Sequence, residues 1–191
     1  MLKRPGIAVN CLKIVNELWQ HSFDVYYLCT KIISLLPEEF LEHETYELLT
    51  AAFFHDIGKS YWPREWFEKP RSLLEKEWPA MCLHPVVGAE LLQDIWPEVS
   101  GNVLELIKSH HERPGGKGYP SGLKEVKNDI LVLAACDVFS ACTAARKYRT
   151  KTISAELALV EVRKFAPSEV LQALKSVLEQ KRENAILEKG W

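Results

Sequence analysis

Apolar residues recur at helical spacing through most of this chain. Ile14, Leu18, Val25, Leu28, Ile32 and Leu35 mark one amphipathic stretch, and Leu48, Leu49, Ala52 and Phe53 mark the next. Spacings built on three and four residues put such side chains on one helix face. Further helices are predicted around residues 74–82, 84–95, 99–110, 127–147, 154–164 and 168–187, several starting at Pro, Ser or Asp, which suit a first turn. The fold class is therefore all-α. Two segments break the pattern. Gly58 to Ser72 carries Pro63 and Pro70 among aromatic residues, and Arg113 to Gly122 holds Pro114, Gly115, Gly116, Gly118, Pro120 and Gly122. A glycine-dense loop inside a helical domain points to function. No repeat, low-complexity tract or Ser/Gly-rich linker divides the chain, so residues 1–191 read as one domain.

Composition narrows the classes. The 191 residues, 47% hydrophobic, suit one domain with a sizeable core. A formal charge of −2, from 24 basic and 26 acidic residues, excludes a non-specific binder of long nucleic acid. Any anionic ligand must be met by local charge. Lys3 and Arg4 are not followed by an apolar run, because Asn10, Lys13, Asn16 and Glu17 interrupt it, and no stretch reaches transmembrane length. Cys11, Cys29, Cys82, Cys136 and Cys142 are odd in number and form no C-x-x-C pair, so they read as reduced thiols. A cytoplasmic protein without a membrane span is expected.

The histidines are grouped. His55 is followed at once by Asp56 and His110 by His111, while His21 and His84 lie within predicted helices. Burying several imidazoles and a carboxylate costs free energy unless each finds a partner. A metal cluster supplies such partners, and imidazole and carboxylate ligands without thiolate suit Fe, Mn, Ni or Zn. Asp137, inside the apolar run Leu131 to Phe139, calls for a metal or a cationic partner for the same reason. Glu17 stands one turn before His21 on the same face and reads equally as a further ligand or as a solvated charge. His43, between Glu42 and Glu44, reads as a surface residue.

His55-Asp56-Ile57-Gly58-Lys59, Leu83-His84-Pro85, His110-His111-Glu112-Arg113, Gly118-Tyr119-Pro120 and Ala135-Cys136-Asp137-Val138-Phe139 together resemble the HD-GYP family of phosphodiesterases in order and spacing. The likeness runs from about residue 15 to 154, leaving C-terminal helices at about 154–187. It implies a single bundle of about seven to nine helices with a glycine-rich GYP loop. It also implies two or three divalent ions, usually iron or manganese, and hydrolysis of cyclic di-GMP to pGpG, in some members on to GMP, by a metal-activated hydroxide. Carried over by motif position, the ligands are His21, His55, Asp56, His84, His110, His111 and Asp137, with Asp56 bridging and Glu17 where three-metal members place an extra glutamate. Lys59 would face the scissile phosphate beside Asp56, Gly118, Tyr119 and Pro120 would border the base or ribose, and Arg146 and Arg149 would grip phosphates.

The chain departs from the family at Pro114 and Gly115, where an aromatic residue and an aspartate are common, at Ser140, where a second aspartate is common, and at Lys147. These changes leave the ligand set whole but bear on loop geometry and turnover. Two other functions therefore stand beside the phosphodiesterase. One is a module that binds a cyclic dinucleotide, or a GGDEF or sensor protein, without cleavage; the other is an HD phosphohydrolase of a different nucleotide. The aromatic cluster Tyr61, Trp62, Trp66 and Phe67 is expected to be a lid, a partner surface or helix packing.

Overall fold

A computed structural model describes residues 7–63, 66, 74–144 and 153–187, with side chains from Trp19 to Asn184 among them. Those residues form α-helices joined by turns. Helix α1 is Ile7–Ile33, α2 Thr45–Phe54, α3 the short Trp78–Met81, α4 His84–Ile95, α5 Gly101–Ser109, α6 Asn128–Thr143, α7 Ala155–Val162 and α8 Ser168–Leu187. A 3-10 turn, Ile57–Tyr61, follows α2, and a second, Glu75–Glu77, leads into α3.

Helix α6 is the centre of the bundle. It is buried along most of its length, as a helix apolar on nearly all sides must be. Helices α1, α2, α5 and α7 pack around it, and α4 packs on α5 and on the Ile57–Tyr61 turn. The buried face of α1 carries His21, Val25, Cys29 and Ile32 at helical spacing, so its polar residue is carried inward with the apolar ones. Ser100 caps α5 by accepting from the Asn102 amide, and Ser154 caps α7 by accepting from the Leu157 amide.

The elements agree with the expected ones except at several ends. The stretch predicted as 127–147 stops at Thr143, because Ala144 turns to an extended conformation with ψ 137°. Helix α1 ends at Ile33, which leaves Leu35 43% exposed rather than on an apolar face. Cys29, Cys136 and Cys142 are buried free thiols, and Cys82 is half-buried.

Gly58 fixes how closely the post-α2 turn approaches α4. A Cβ there would lie 2.1 Å from the His84 carbonyl oxygen and 2.6 Å from the Gly88 amide nitrogen. Both neighbours are backbone, so relief would require a helix to move. Gly58→Ala is expected to destabilise the protein by about 3 kcal/mol, at the upper end of ordinary overpacking. At about 2–4 °C per kcal/mol for a chain of this size, thermal unfolding should show a fall of about 6–12 °C.

Candidate metal centre

Seven of the eight residues singled out for metal, all but Glu17, reach one buried place from five parts of the chain. His21 comes from the middle of α1 and Asp137 from the middle of α6. His55 and Asp56 follow the last turn of α2, His84 opens α4 ahead of Pro85, and His110 and His111 follow the last turn of α5. The open carbonyls at the ends of α2 and α5 favour positive charge there. His21, His55 and Asp137 form one group of potential ligand atoms, and Asp56, His84, His110 and His111 form another.

Asp56 lies between the groups. Its Oδ2 is 3.5 Å from His55 Nε2 and 3.9 Å from His21 Nε2, whereas its Oδ1 is 3.2 Å from His84 Nε2 and 3.9 Å from His110 Nε2. Each carboxylate oxygen therefore faces a different group, the disposition a bridging ligand needs. Lys59 donates from Nζ to Asp56 Oδ2 at 2.6 Å. His21 Nε2 is 2.9 Å from Asp137 Oδ1, and its Nδ1 is 3.1 Å from Ser140 Oγ.

The imidazoles fit a cation. His55, His84 and His110 each place Nδ1 within 2.8 Å of the carbonyl three residues back, on Ala52, Met81 and Ile107. A carbonyl only accepts, so Nδ1 carries the hydrogen and, in the neutral ring, Nε2 presents a lone pair. His84 Nε2 and His110 Nε2 then face each other at 3.2 Å, two acceptors with no proton between them. His55 Nε2 and His111 Nε2 are buried with no hydrogen-bond partner. A divalent ion held by nitrogen and carboxylate oxygen satisfies these atoms together.

The HD domain profile matches residues 25–169, three-quarters of the chain and nearly all of this ligand set. The chain belongs to the HD domain family. A cyclic di-GMP phosphodiesterase of Pseudomonas aeruginosa is 32% identical over 162 residues, 82% of this chain and 38% of that protein. A 3'3'-cGAMP-specific phosphodiesterase of Vibrio cholerae is 36% identical over 133 residues, 69% of this chain and 30% of that protein. The chain thus spans about a third of the length of these relatives. A solved HDG"Y"P protein from Bdellovibrio bacteriovorus shares the fold, with a TM-score of 0.62 at 20% identity over 83% of this chain and 51% of that one.

Electrostatics in this HD domain keep the carboxylates ionised and most of the imidazoles neutral. Burial pushes Asp56 upward, but Lys59, His55 and His84 outweigh it and hold the carboxyl well below its usual range. Burial is likewise outweighed at Asp137, by the His21 and His55 imidazoles that face its carboxylate. Burial and neighbouring imidazoles depress His110 strongly, burial brings His111 down to about 3, and burial with Lys59 lowers His84. His55 is desolvated too, yet Asp56 and Asp137 raise it overall. Below the ordinary value of 6.5 the unfolded chain takes protons that His84, His110 and His111 refuse when folded, so stability falls on acidification; His55, raised instead, adds stability as the pH falls toward 6.5 and no more below it. Each imidazole held neutral in the folded protein adds up to about 1.4 kcal/mol per pH unit to that slope. Chelator-treated protein is therefore expected to melt at steadily lower temperature from pH 6.5 to pH 5, and a rise over that range would contradict the neutral assignment.

Glu17 lies in α1, with its side chain outside the described ones, and Arg146, Arg149 and Phe67 lie outside the described residues. Tyr61 is 41% exposed, whereas Trp62 and Trp66 are half-buried, so the aromatic cluster is not wholly a surface feature. His43 is not a surface residue. Its side chain is 5% exposed with Nδ1 3.2 Å from Asp129 Oδ1, because buried Asp129 also accepts from the Glu42 and His43 amides and draws that segment onto α6.

The loop from Arg113 to Gly122 closes without the aspartate common in the family. The Gly115 amide donates to the Lys124 carbonyl at 2.8 Å and the Gly116 amide to Leu123 at 3.0 Å, both glycines having φ above +70°. Glu112, fully buried and absent from the expected site residues, accepts from the amides of Ser121, Gly122 and Leu123 at 2.6, 3.1 and 2.9 Å. Arg113 donates to the His110 and Glu112 carbonyls and lies 4.1 Å above the Phe165 ring. The sequence signal for Glu112 is a carboxylate set between a histidine pair and a glycine-rich loop, whose exposed amides are its natural donors.

Proposed function

We propose that this HD domain is the hydrolytic unit of an HD-GYP-type, metal-dependent phosphodiesterase acting on a cyclic dinucleotide. The observation that carries this reading is the Asp56 carboxylate, with one oxygen toward each ligand group. The relatives named above, a cyclic di-GMP phosphodiesterase and a 3'3'-cGAMP-specific phosphodiesterase, support the substrate class. His21, His55 and Asp137 would hold one ion and His84, His110 and His111 the other, with Asp56 shared. Glu17 is the candidate for a third, and Fe or Mn is favoured over Ni or Zn. Bound there, divalent ions supply Lewis acidity toward the phosphate and lower the pKa of a water.

The chain's own residues do the rest. Lys59, 2.6 Å from Asp56, brings a positive charge to the edge of the centre, where it would meet a phosphate oxygen. Asp137 is held ionised 2.9 Å from His21 Nε2, so both could meet one ion, while Ser140 Oγ at Nδ1 fixes the ring. Gly118, Tyr119 and Pro120 would border the nucleotide beside His111, and Arg146 and Arg149 would neutralise the phosphates. Packing of α1 on α2, α6 and α8 supports one domain over residues 1–191, with its motif-bearing core at 15–154. No helix among the described residues is long and apolar enough to cross a membrane. A cytoplasmic setting and a GGDEF or sensor partner complete the proposal.

The test is anaerobic incubation of Fe(II)- or Mn(II)-loaded protein with cyclic di-GMP and, separately, 3'3'-cGAMP, beside chelator-treated protein. Linear dinucleotide formed only by loaded protein supports the proposal. Tight binding of either compound to loaded protein, without product, would overturn it and leave a receptor.

A further inference from the structure

His111 differs from the other ligand histidines in how it is held. The rings of His55, His84 and His110 are each fixed by a bond from Nδ1 to a backbone carbonyl, and His21 is held through Ser140 and Asp137. No such bond holds His111, whose Nε2 is buried without a partner. Its orientation rests on ring contacts. His110 lies 4.0 Å away at 44°, His84 5.0 Å away at 79°, and Tyr119 4.6 Å away at 25°, the one stacked arrangement of the three. A stack on one face prevents the ring from tipping about its Cβ bond, the freedom that a second-shell hydrogen bond removes elsewhere.

Tyr119 is itself fixed. Its amide donates to the His111 carbonyl at 3.2 Å, closing the loop back on the residue whose ring it covers. Immediately before it, Gly118 lies so close to the His110–Arg113 turn that a Cβ would come within 2.2 Å of the Arg113 nitrogen and 2.4 Å of the Glu112 Cα. Two residues beyond Tyr119, the Glu112 carboxylate gathers the three amides from Ser121 to Leu123. The loop is thus clamped on both sides of the tyrosine.

We propose that Tyr119 is a positioning residue for metal binding: its clamped ring lies flat on His111 and holds that imidazole in the group formed with Asp56, His84 and His110. This rests on the metal reading above and assigns the Gly-Tyr-Pro tyrosine a role that precedes substrate. The effect is confined to one ion, since the Tyr119 ring stacks on His111, which belongs to only one of the two groups. The ring carries it, not the hydroxyl.

Metal-free protein, wild type and Tyr119→Phe, Tyr119→Leu and Tyr119→Ala, would be titrated anaerobically with Mn(II). Bound ions would be counted after desalting, and the EPR spectrum would distinguish paired, exchange-coupled ions from single ones. Wild type and Tyr119→Phe are expected to hold a coupled pair. Tyr119→Leu and Tyr119→Ala are expected to keep one ion and to bind the second about 10- to 100-fold more weakly, with the coupled signal replaced by that of an isolated ion. Tyr119→Leu fills the space without a flat ring, so circular dichroism matching wild type shows that folding is not the cause. Coupled pairs in both aliphatic variants would overturn the proposal, as would a Tyr119→Phe variant that loses the second ion. A wild type that never binds two ions would overturn the two-ion reading itself, and the positioning role with it.

Discussion

Asp56→Ala is expected to lower hydrolysis of a cyclic dinucleotide by at least about three orders of magnitude, equivalent to about 4 kcal/mol of transition-state stabilisation. The carboxylate supplies an oxygen to each ligand group, so its removal weakens both and disconnects them. Lys59 also loses the oxygen that fixes its ammonium. Asp56→Asn keeps the shape, but its amide nitrogen cannot ligate, so it should fall nearly as far without leaving a cavity. Turnover by loaded variants, read beside their melting temperatures, separates chemistry from folding. An Asp56→Asn variant that folds and retains a tenth or more of wild-type activity would show that this carboxylate is not the bridge.

How much of this was legible in the sequence depends on what each residue touches. Helices α4 and α8 match the predicted bounds of 84–95 and 168–187, because Pro85 marks the first turn of one and the apolar rhythm of the other stops on its own. The end of α6 was not legible. The run Ala141-Cys-Thr-Ala has neither Gly nor Pro, so periodicity continues past the point where Ala144 leaves the helix. His43 was misread because its neighbours Glu42 and Glu44 are exposed, while the residue that buries it, Asp129, is far away in sequence.

The ligand residues were legible as chemistry, since adjacent His-Asp and His-His pairs inside apolar helices have few other uses. Their division into two groups was not. It depends on which oxygen of Asp56 points where, and on α1 and α6 meeting at His21 and Asp137. The departures at Pro114 and Gly115 put the loop in doubt from sequence alone, and the backbone pairs of Gly115 and Gly116 remove that doubt. Ser140 likewise stands where the family often has an aspartate, and it still meets His21 Nδ1 at 3.1 Å. Glu112 went unassigned because a carboxylate that serves backbone amides has no spacing rule, only a place beside a loop with amides to spare.

Glu112→Ala is expected to be the most destabilising single change in the loop, at about 3–5 kcal/mol. Each hydrogen bond to a carboxylate is worth about 1.5–3 kcal/mol, the three are not additive, and the side chain is fully buried. At about 2–4 °C per kcal/mol the melting temperature should fall by about 6–20 °C. Glu112→Gln keeps one accepting oxygen but turns an amide N–H toward donors, so it should lie between wild type and alanine. Hydrogen exchange locates the damage: the amides of Ser121, Gly122 and Leu123 should lose protection while those of α6, packed on every side, keep theirs. The pairs from Gly115 to Lys124 and from Gly116 to Leu123 are too few to replace a carboxylate that holds three amides at once. An alanine variant melting within about 2 °C of wild type, less than the loss of one such bond, would mean that those backbone pairs hold the loop and that Glu112 merely fills space beneath it.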